Sequence, residues 1–181
     1  MKDKNINSAK NLEIGSLAAI LCMLVDQIHK FVMLEVYGFE KLAEPLKITE
    51  FFNLVMVWNR GISFGMFQGM EYSNYFFMGL TVVIILAIFA MIKYSKHKYE
   101  VIAFGMIIGG ACGNLIDRIR MGAVADFFDV HYKQHHWPAF NIADSCVFIG
   151  AVILIVCSLF KRDASAGASV RIKSKGIKNE K

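Results

Sequence analysis

Residues 109–126, GGACGNLIDRIRMGAVAD, decide how this chain folds. The stretch begins as the end of an apolar run and finishes in ionised and amide side chains: Asn114, Asp117, Arg118, Arg120 and Asp126. A carboxylate at the edge of a segment otherwise fit for lipid is costly unless it is paired, so such a residue reads as a functional site by default.

Outward from this stretch, the composition agrees with a membrane protein. The 181 residues are 56% hydrophobic, and the mean hydropathy is +0.46, above the apolar share of ordinary soluble domains. The formal charge of +5 does not point to nucleic acid, because the bases cluster where membrane topology explains them. Cys22, Cys112, Cys146 and Cys157 all fall in apolar runs without a CxxC pair. They read as buried free thiols rather than a disulfide framework or a zinc site.

Four apolar runs long enough to span emerge. The first starts at Ile14 and reaches about Val36, broken by Asp26, His29, Lys30 and Glu35; bulky Leu21 argues against signal-peptide cleavage there. Tyr75–Ile92 carries no charge over 18 residues. Val101–Ile116 is rich in glycine, at 105, 109, 110 and 113, which lets helices approach closely. Phe140–Phe160 holds Asn141 and Asp144 in its first turns. Between the spans lie two polar surface segments, 37–74 and 118–139. In the first, the strand-like run Phe51–Trp58, the turn Asn59-Arg60-Gly61 and the run Ile62–Phe67 predict a small hairpin or curled sheet. The expected organisation is a polar N-terminal segment 1–13, a four-helix membrane domain 14–160 and a disordered basic tail 161–181.

The N-terminal segment, the 93–100 connection and the tail hold 13 of the 20 Lys and Arg residues but only five acids. The positive-inside rule then puts both termini in the cytoplasm and both surface segments outside. In that orientation Asp26 and Lys30, Asn114 and Asp117, and Asn141 and Asp144 all come to the outer leaflet. The spacing within each set is i, i+3 or i, i+4, so each set shares a helix face.

Asp126 and Asp144 can meet there, with Asp117 and Asp26 nearby. Two carboxyls held close cannot both ionise readily, so one keeps a proton. The ionised member can take a proton from water while the protonated member bonds a peptide carbonyl, which hydrolyses an amide without metal or covalent intermediate. The residues alone leave Asp117 open as a dyad member. The plainer reading makes each aspartate structural, paired with Arg118, Arg120 or Lys30, but four aspartates at one depth argue against that for all of them. Asp26 and Lys30 read better as an i, i+4 ion pair with the lysine snorkelling to the interface. Asn114 and Asn141 suit either a neighbouring helix or the positioning of substrate or an aspartate. His131, His135 and His136 suit the headgroup region and lack any HExxH or Cys set, so no metal is expected. Ser63 or Ser145 with Lys30 as base is a weaker nucleophile reading, since Ser145 faces away from Asp144. The run Phe51–Phe67 reads as packed surface sheet or as an apolar platform for an acylated substrate. Two other classes remain to be separated: an ion- or proton-binding membrane module, which would need polar residues continuing inward, and a metal-dependent phosphotransferase.

At DQIHK (26–30), NRGISFG (59–65), GGACGNLIDR (109–118), GAVADF (122–127) and FNIADS (140–145), the chain resembles the bacterial lipoprotein signal peptidases (signal peptidase II). The resemblance covers about residues 14 to 160. It implies four transmembrane helices with a small extracytoplasmic β-cradle and a short surface helix, in the bacterial inner membrane. It implies cleavage of a prolipoprotein just before its diacylglyceryl-modified cysteine, with no cofactor or metal, and inhibition by globomycin. A monomer working in membrane lipid is the expected form. Asp126 and Asp144 match the family's catalytic aspartates, which leaves Asp117 a supporting role. Asp26, Lys30, Asn59, Gly61, Asn114, Arg118 and Asn141 match other positions lining its site. Arg60, within the NxG block, and His29, within DQxxK, depart from the usual pattern.

Overall fold

The computed structural model describes residues 2–42, 44–61 and 72–178. Among the described residues, four helices are long and apolar enough to cross a membrane: Ser8–Val36, Asn74–Ile92, Lys98–Met121 and Ile142–Phe160. They belong to α1 (Lys2–Phe31, continued by a wider π turn over Val32–Val36), α2 (Ser73–Ile92), α3 (Lys98–Met121) and α4 (Ile142–Lys178). α3 is the central span: it packs against all three others. Half of its most apolar window is buried, against 6% for α2, whose side chains face outward into what would be lipid. Val101, Phe104 and Ile108 of α3 form the core with Ile92. The glycine-rich face of α3 packs closely, as predicted: a Cβ on Gly110 would collide with the Ala143 carbonyl of α4.

A four-stranded antiparallel sheet, ordered β1 (Leu46–Thr49), β2 (Phe52–Asn59), β3 (Val124–Tyr132) and β4 (His135–His136), caps one end of the bundle. Its packing explains where β3 sits. Ala125 and Phe127 are fully buried, and Phe127 packs on Met33 and Phe39, where the chain leaves α1. Alternation along the strand then sends Asp126 to the opposite face.

The predicted strand Phe51–Trp58 is β2, moved by one residue. Its partners are β1 and β3; the predicted run Ile62–Phe67, and Ser63 within it, lie outside the described residues. In the described part of the first surface segment the helical piece is a single 3-10 turn, Phe39–Lys41. The outer helices extend beyond the spans, from Lys2 and to Lys178. A helix already nucleated by a span propagates cheaply through Ala, Lys and Arg. The four cysteines are free and partly buried.

Candidate active site

Four aspartates gather where the sheet meets the ends of α1, α3 and α4. Asp26, Asp117 and Asp126 are each no more than 1% exposed. They fall into two kinds. Asp26 and Asp117 are ion-paired: Lys30 lies 2.8 Å from Asp26 and 2.6 Å from Asp117. The third donor direction of its ammonium goes to Asn114 Oδ1 at 3.3 Å. Lys30 is only 3% exposed, so the predicted snorkelling is wrong. The ammonium turns into the bundle because a second carboxylate, on α3, waits there.

Asp126 and Asp144 have no ion-pair partner among the described residues; amides hold them instead. Asn59 Nδ2 donates to Asp126 Oδ2 at 3.0 Å, and Asn141 Nδ2 donates to Asp126 Oδ1 at 2.7 Å. Asn114 Nδ2 donates to Asp144 Oδ1 at 2.7 Å. Asn141 also caps α4: its Oδ1 accepts the Asp144 N–H at 2.9 Å, and its own N–H donates to Asp144 Oδ2 at 3.3 Å. This is a capping box with Asp in place of Glu, and it sets an anionic side chain in the favourable first turn of the helix. One residue, Asn141, thereby touches both carboxyls.

The amide orientations are fixed from behind. Asn114 Oδ1 already accepts from Lys30 and, at 3.1 Å, from Asn141, so its NH₂ faces Asp144. Asn59 Oδ1 accepts the Gly61 N–H at 2.9 Å, an Asx turn, so its NH₂ faces Asp126. Gly61 needs its φ of +88°, and a Cβ there would collide with the Phe77 ring.

Burial first, and then the charge of Asp144, push the Asp126 carboxyl up to about 7, against the hydrogen bonds from Asn59 and Asn141. A buried carboxyl with no counter-ion behaves this way. The contrast on the same strand is Asp129. Burial raises it, but hydrogen bonds from His136 and Asn53 outweigh that and hold it below the usual carboxylate range. His136 sits 2.8 Å from Asp129 and stacks on His131, so this pair is occupied away from the four aspartates.

Arg118 does not reach either unpaired aspartate by a hydrogen bond. Its Nη1 donates to the Asn114 carbonyl at 3.4 Å, and its guanidinium lies 5.9 Å from the Phe77 ring centroid. Sequence reasoning passed over Gln27, which donates to Asp117 Oδ1 at 3.0 Å and to the Gly113 carbonyl at 3.2 Å. The signal was its place one residue from Asp26 and three from Lys30, on the α3-facing side of α1. It also missed a structural role for His29, whose ring packs on Phe127 and Phe128.

Two neighbouring carboxyls held by amides at the end of a membrane bundle, with no ion-pair partner among the described residues, are the kind of arrangement that aspartic-type peptidase chemistry needs. The comparisons narrow that class. The family model described as signal peptidase (SPase) II matches residues 18–160. The lipoprotein signal peptidase of Anaplasma marginale (strain Florida) is 44% identical over 148 residues, covering 82% of this chain and 85% of the relative. That of Serratia marcescens is 42% identical, covering 70% and 75%. A solved bacterial membrane enzyme, determined by the in meso method at 2.3 Å resolution, superposes with a TM-score of 0.70 at 27% identity, covering 82% of this chain and 88% of its own. The chain belongs to the signal peptidase II family. It is a multi-pass membrane protease that removes signal peptides from prolipoproteins.

Proposed function

We propose that Asp126 and Asp144 are the catalytic dyad and that they share one proton around neutral pH. The observation that carries this reading is the division of the four aspartates by Lys30, which ion-pairs with Asp26 and Asp117, whereas Asp126 and Asp144 make no ion pair among the described residues. The same division favours Asp126 over Asp117 as the partner of Asp144.

The ionised carboxylate takes a proton from water, and the water oxygen attacks the scissile carbonyl carbon. The protonated carboxyl donates to the carbonyl oxygen as charge builds on it. Collapse of the tetrahedral intermediate breaks the C–N bond, with a proton delivered to the leaving nitrogen. The products are a signal-peptide carboxylate and a free amino group on the diacylglyceryl-modified cysteine. Such a substrate lies with its acyl chains in lipid, which suits a site at the bundle end under the sheet.

The distribution of bases supports both termini in the cytoplasm and the dyad at the outer leaflet of the bacterial inner membrane. Asn59, Gly61, Asn114, Arg118 and Asn141 line the site, and a globomycin-type inhibitor would occupy the space between the aspartates and the sheet. The working unit in this reading is a monomer. The test is cleavage of a diacylglyceryl prolipoprotein by purified protein, with and without EDTA. Chelator-resistant cleavage is expected in the wild type and none in Asp126→Asn or Asp144→Asn. Cleavage lost on chelation, or retained in either variant, removes the dyad.

A further inference from the structure

Both unpaired aspartates are preceded by alanine, Ala125-Asp126 and Ala143-Asp144, and both alanines are fully buried. Each alanine gives its backbone N–H to one of the paired aspartates. Ala125 N–H donates to Asp117 Oδ2 at 3.3 Å. Ala143 N–H donates to Asp26 Oδ1 at 2.9 Å. Ala143 is the second residue of α4, where helical N–H groups have no intrahelical acceptor. Ala125 lies in β3 opposite Trp58 of β2, on the stretch that β4 does not reach. The two acceptors are tied to each other by a single ammonium, that of Lys30. Gln27 Nε2 also touches both carboxylates, at 3.2 Å from Asp26 and 3.0 Å from Asp117.

The geometry points to Asp26, Lys30 and Asp117 as a backbone clamp that sets the spacing of the dyad: each outer carboxylate grips the peptide N–H just before one catalytic aspartate, and Lys30 joins the two grips. These are positioning residues, and the inference rests on the assignment of Asp126 and Asp144 as the dyad. The clamp adds a link through α1 and α3 between a strand and a helix that also meet at the Phe128–Phe140 bridge and at Asn141, so loosening one grip shifts one carboxyl relative to the other. At Ala143 alanine fits because a larger side chain would press on the facing helix: Gly113 of α3 already lies where an added Cβ would be 3.4 Å from Ala143 Cβ and 2.6 Å from Asp26 Oδ2.

The clamp separates from ordinary fold support by which substitution rescues it. Asn keeps an oxygen for the alanine N–H, and Leu of similar size does not. Asp117→Leu should lower kcat about 100-fold with KM changed less than about threefold, the cost of a displacement near 1 Å. Asp117→Asn should recover about tenfold of that loss. A readout free of activity covers variants that work poorly. In [15N]alanine-labelled protein in detergent micelles, the amide protons of Ala125 and Ala143 should lie downfield, as bonds to carboxylates require, and both should move upfield in Lys30→Met. Equal activity in Asp117→Asn and Asp117→Leu, a KM change as large as the kcat change, or a Lys30→Met spectrum in which only one or neither resonance moves would overturn the clamp. Retained cleavage in Asp126→Asn would instead sink the dyad, and the amide resonances would still report on the clamp.

Discussion

Asp26 and Asp117 stand beside Asp126 and Asp144 in the same water-poor corner, yet the two pairs do opposite things. The first pair shares the ammonium of Lys30 and is bonded to backbone N–H groups. The second is held by neutral amides with no ion pair among the described residues, and burial together with the charge of Asp144 pushes Asp126 to about 7 despite those hydrogen bonds. A buried charge that is paired belongs to the architecture; one left unpaired costs stability and is retained only where chemistry needs it. Counting aspartates at one depth therefore says less than finding where the single lysine goes.

The comparison is broken most severely by removing a carboxylate from the unpaired side. Asp126→Asn and Asp144→Asn should each lower kcat/KM by at least about 10³-fold, since a dyad with one member cannot both deprotonate water and donate to the carbonyl. A gel-shift assay on a lipid-modified precursor reads this directly. Residual activity above a tenth of wild type in either would erase the distinction between the pairs.

Next in size is the loss of the ammonium from the paired side. Lys30→Met leaves two buried carboxylates facing each other, and removing one partner from a buried ion pair costs about 3–5 kcal/mol. Lys30→Met combined with Asp117→Asn should regain much of that stability, because one buried charge fewer is left alone. Thermal unfolding in detergent, followed by helical circular dichroism, tests the order wild type, double variant, single variant. A single variant as stable as wild type would mean that Lys30 does not compensate these acids.

The unpaired side should show the reverse sign. The Asp126 carboxyl is raised from 3.8 to about 7 on folding, so its contribution to stability is fully present below about pH 4 and is lost as pH rises through about 7. Asp126→Asn should therefore gain stability relative to wild type as pH goes from 4 to 7, and hold that gain above. The size is a few kcal/mol at most, from the pKa displacement. The same residue would then lose activity and gain stability when neutralised, while Lys30→Met loses stability outright. Melting curves at pH 5 and pH 8 for wild type and Asp126→Asn suffice; a difference independent of pH would place the raised carboxyl elsewhere.

How much of this was legible in the chain follows from range. Asp26 and Lys30 lie four residues apart on one helix, and that ion pair could be read directly. Asp117 is 87 residues beyond Lys30, and no helical periodicity says that a lysine near a membrane surface turns inward to meet it. Asn141 and Asp144 were visible as one face of a helix, but not as a reciprocal cap, because that depends on where α4 starts. The four spans were readable because an apolar run of that length has few other fates. The sheet was only half readable: β2 shows in its own composition, whereas its pairing with β3 joins Asn59 to Val124 across the whole of α2 and α3.

The gentlest way to sharpen the comparison is to change one amide on the unpaired side. Asn59 gives Asp126 a hydrogen bond that favours the ionised form, so its loss raises the carboxyl further above about 7. Asn59→Ala should lower kcat only about tenfold, because Asn141 still holds Asp126, and should move the alkaline limb of the pH–rate profile to higher pH. Gly61→Ala should act in the same direction by a different route: it breaks the turn that aims the Asn59 NH₂ at Asp126, without touching the aspartate. If both substitutions shift the alkaline limb upward, the turn and the carboxyl are one device. A loss of rate with the pH profile unmoved would reduce Asn59 to a contact with substrate.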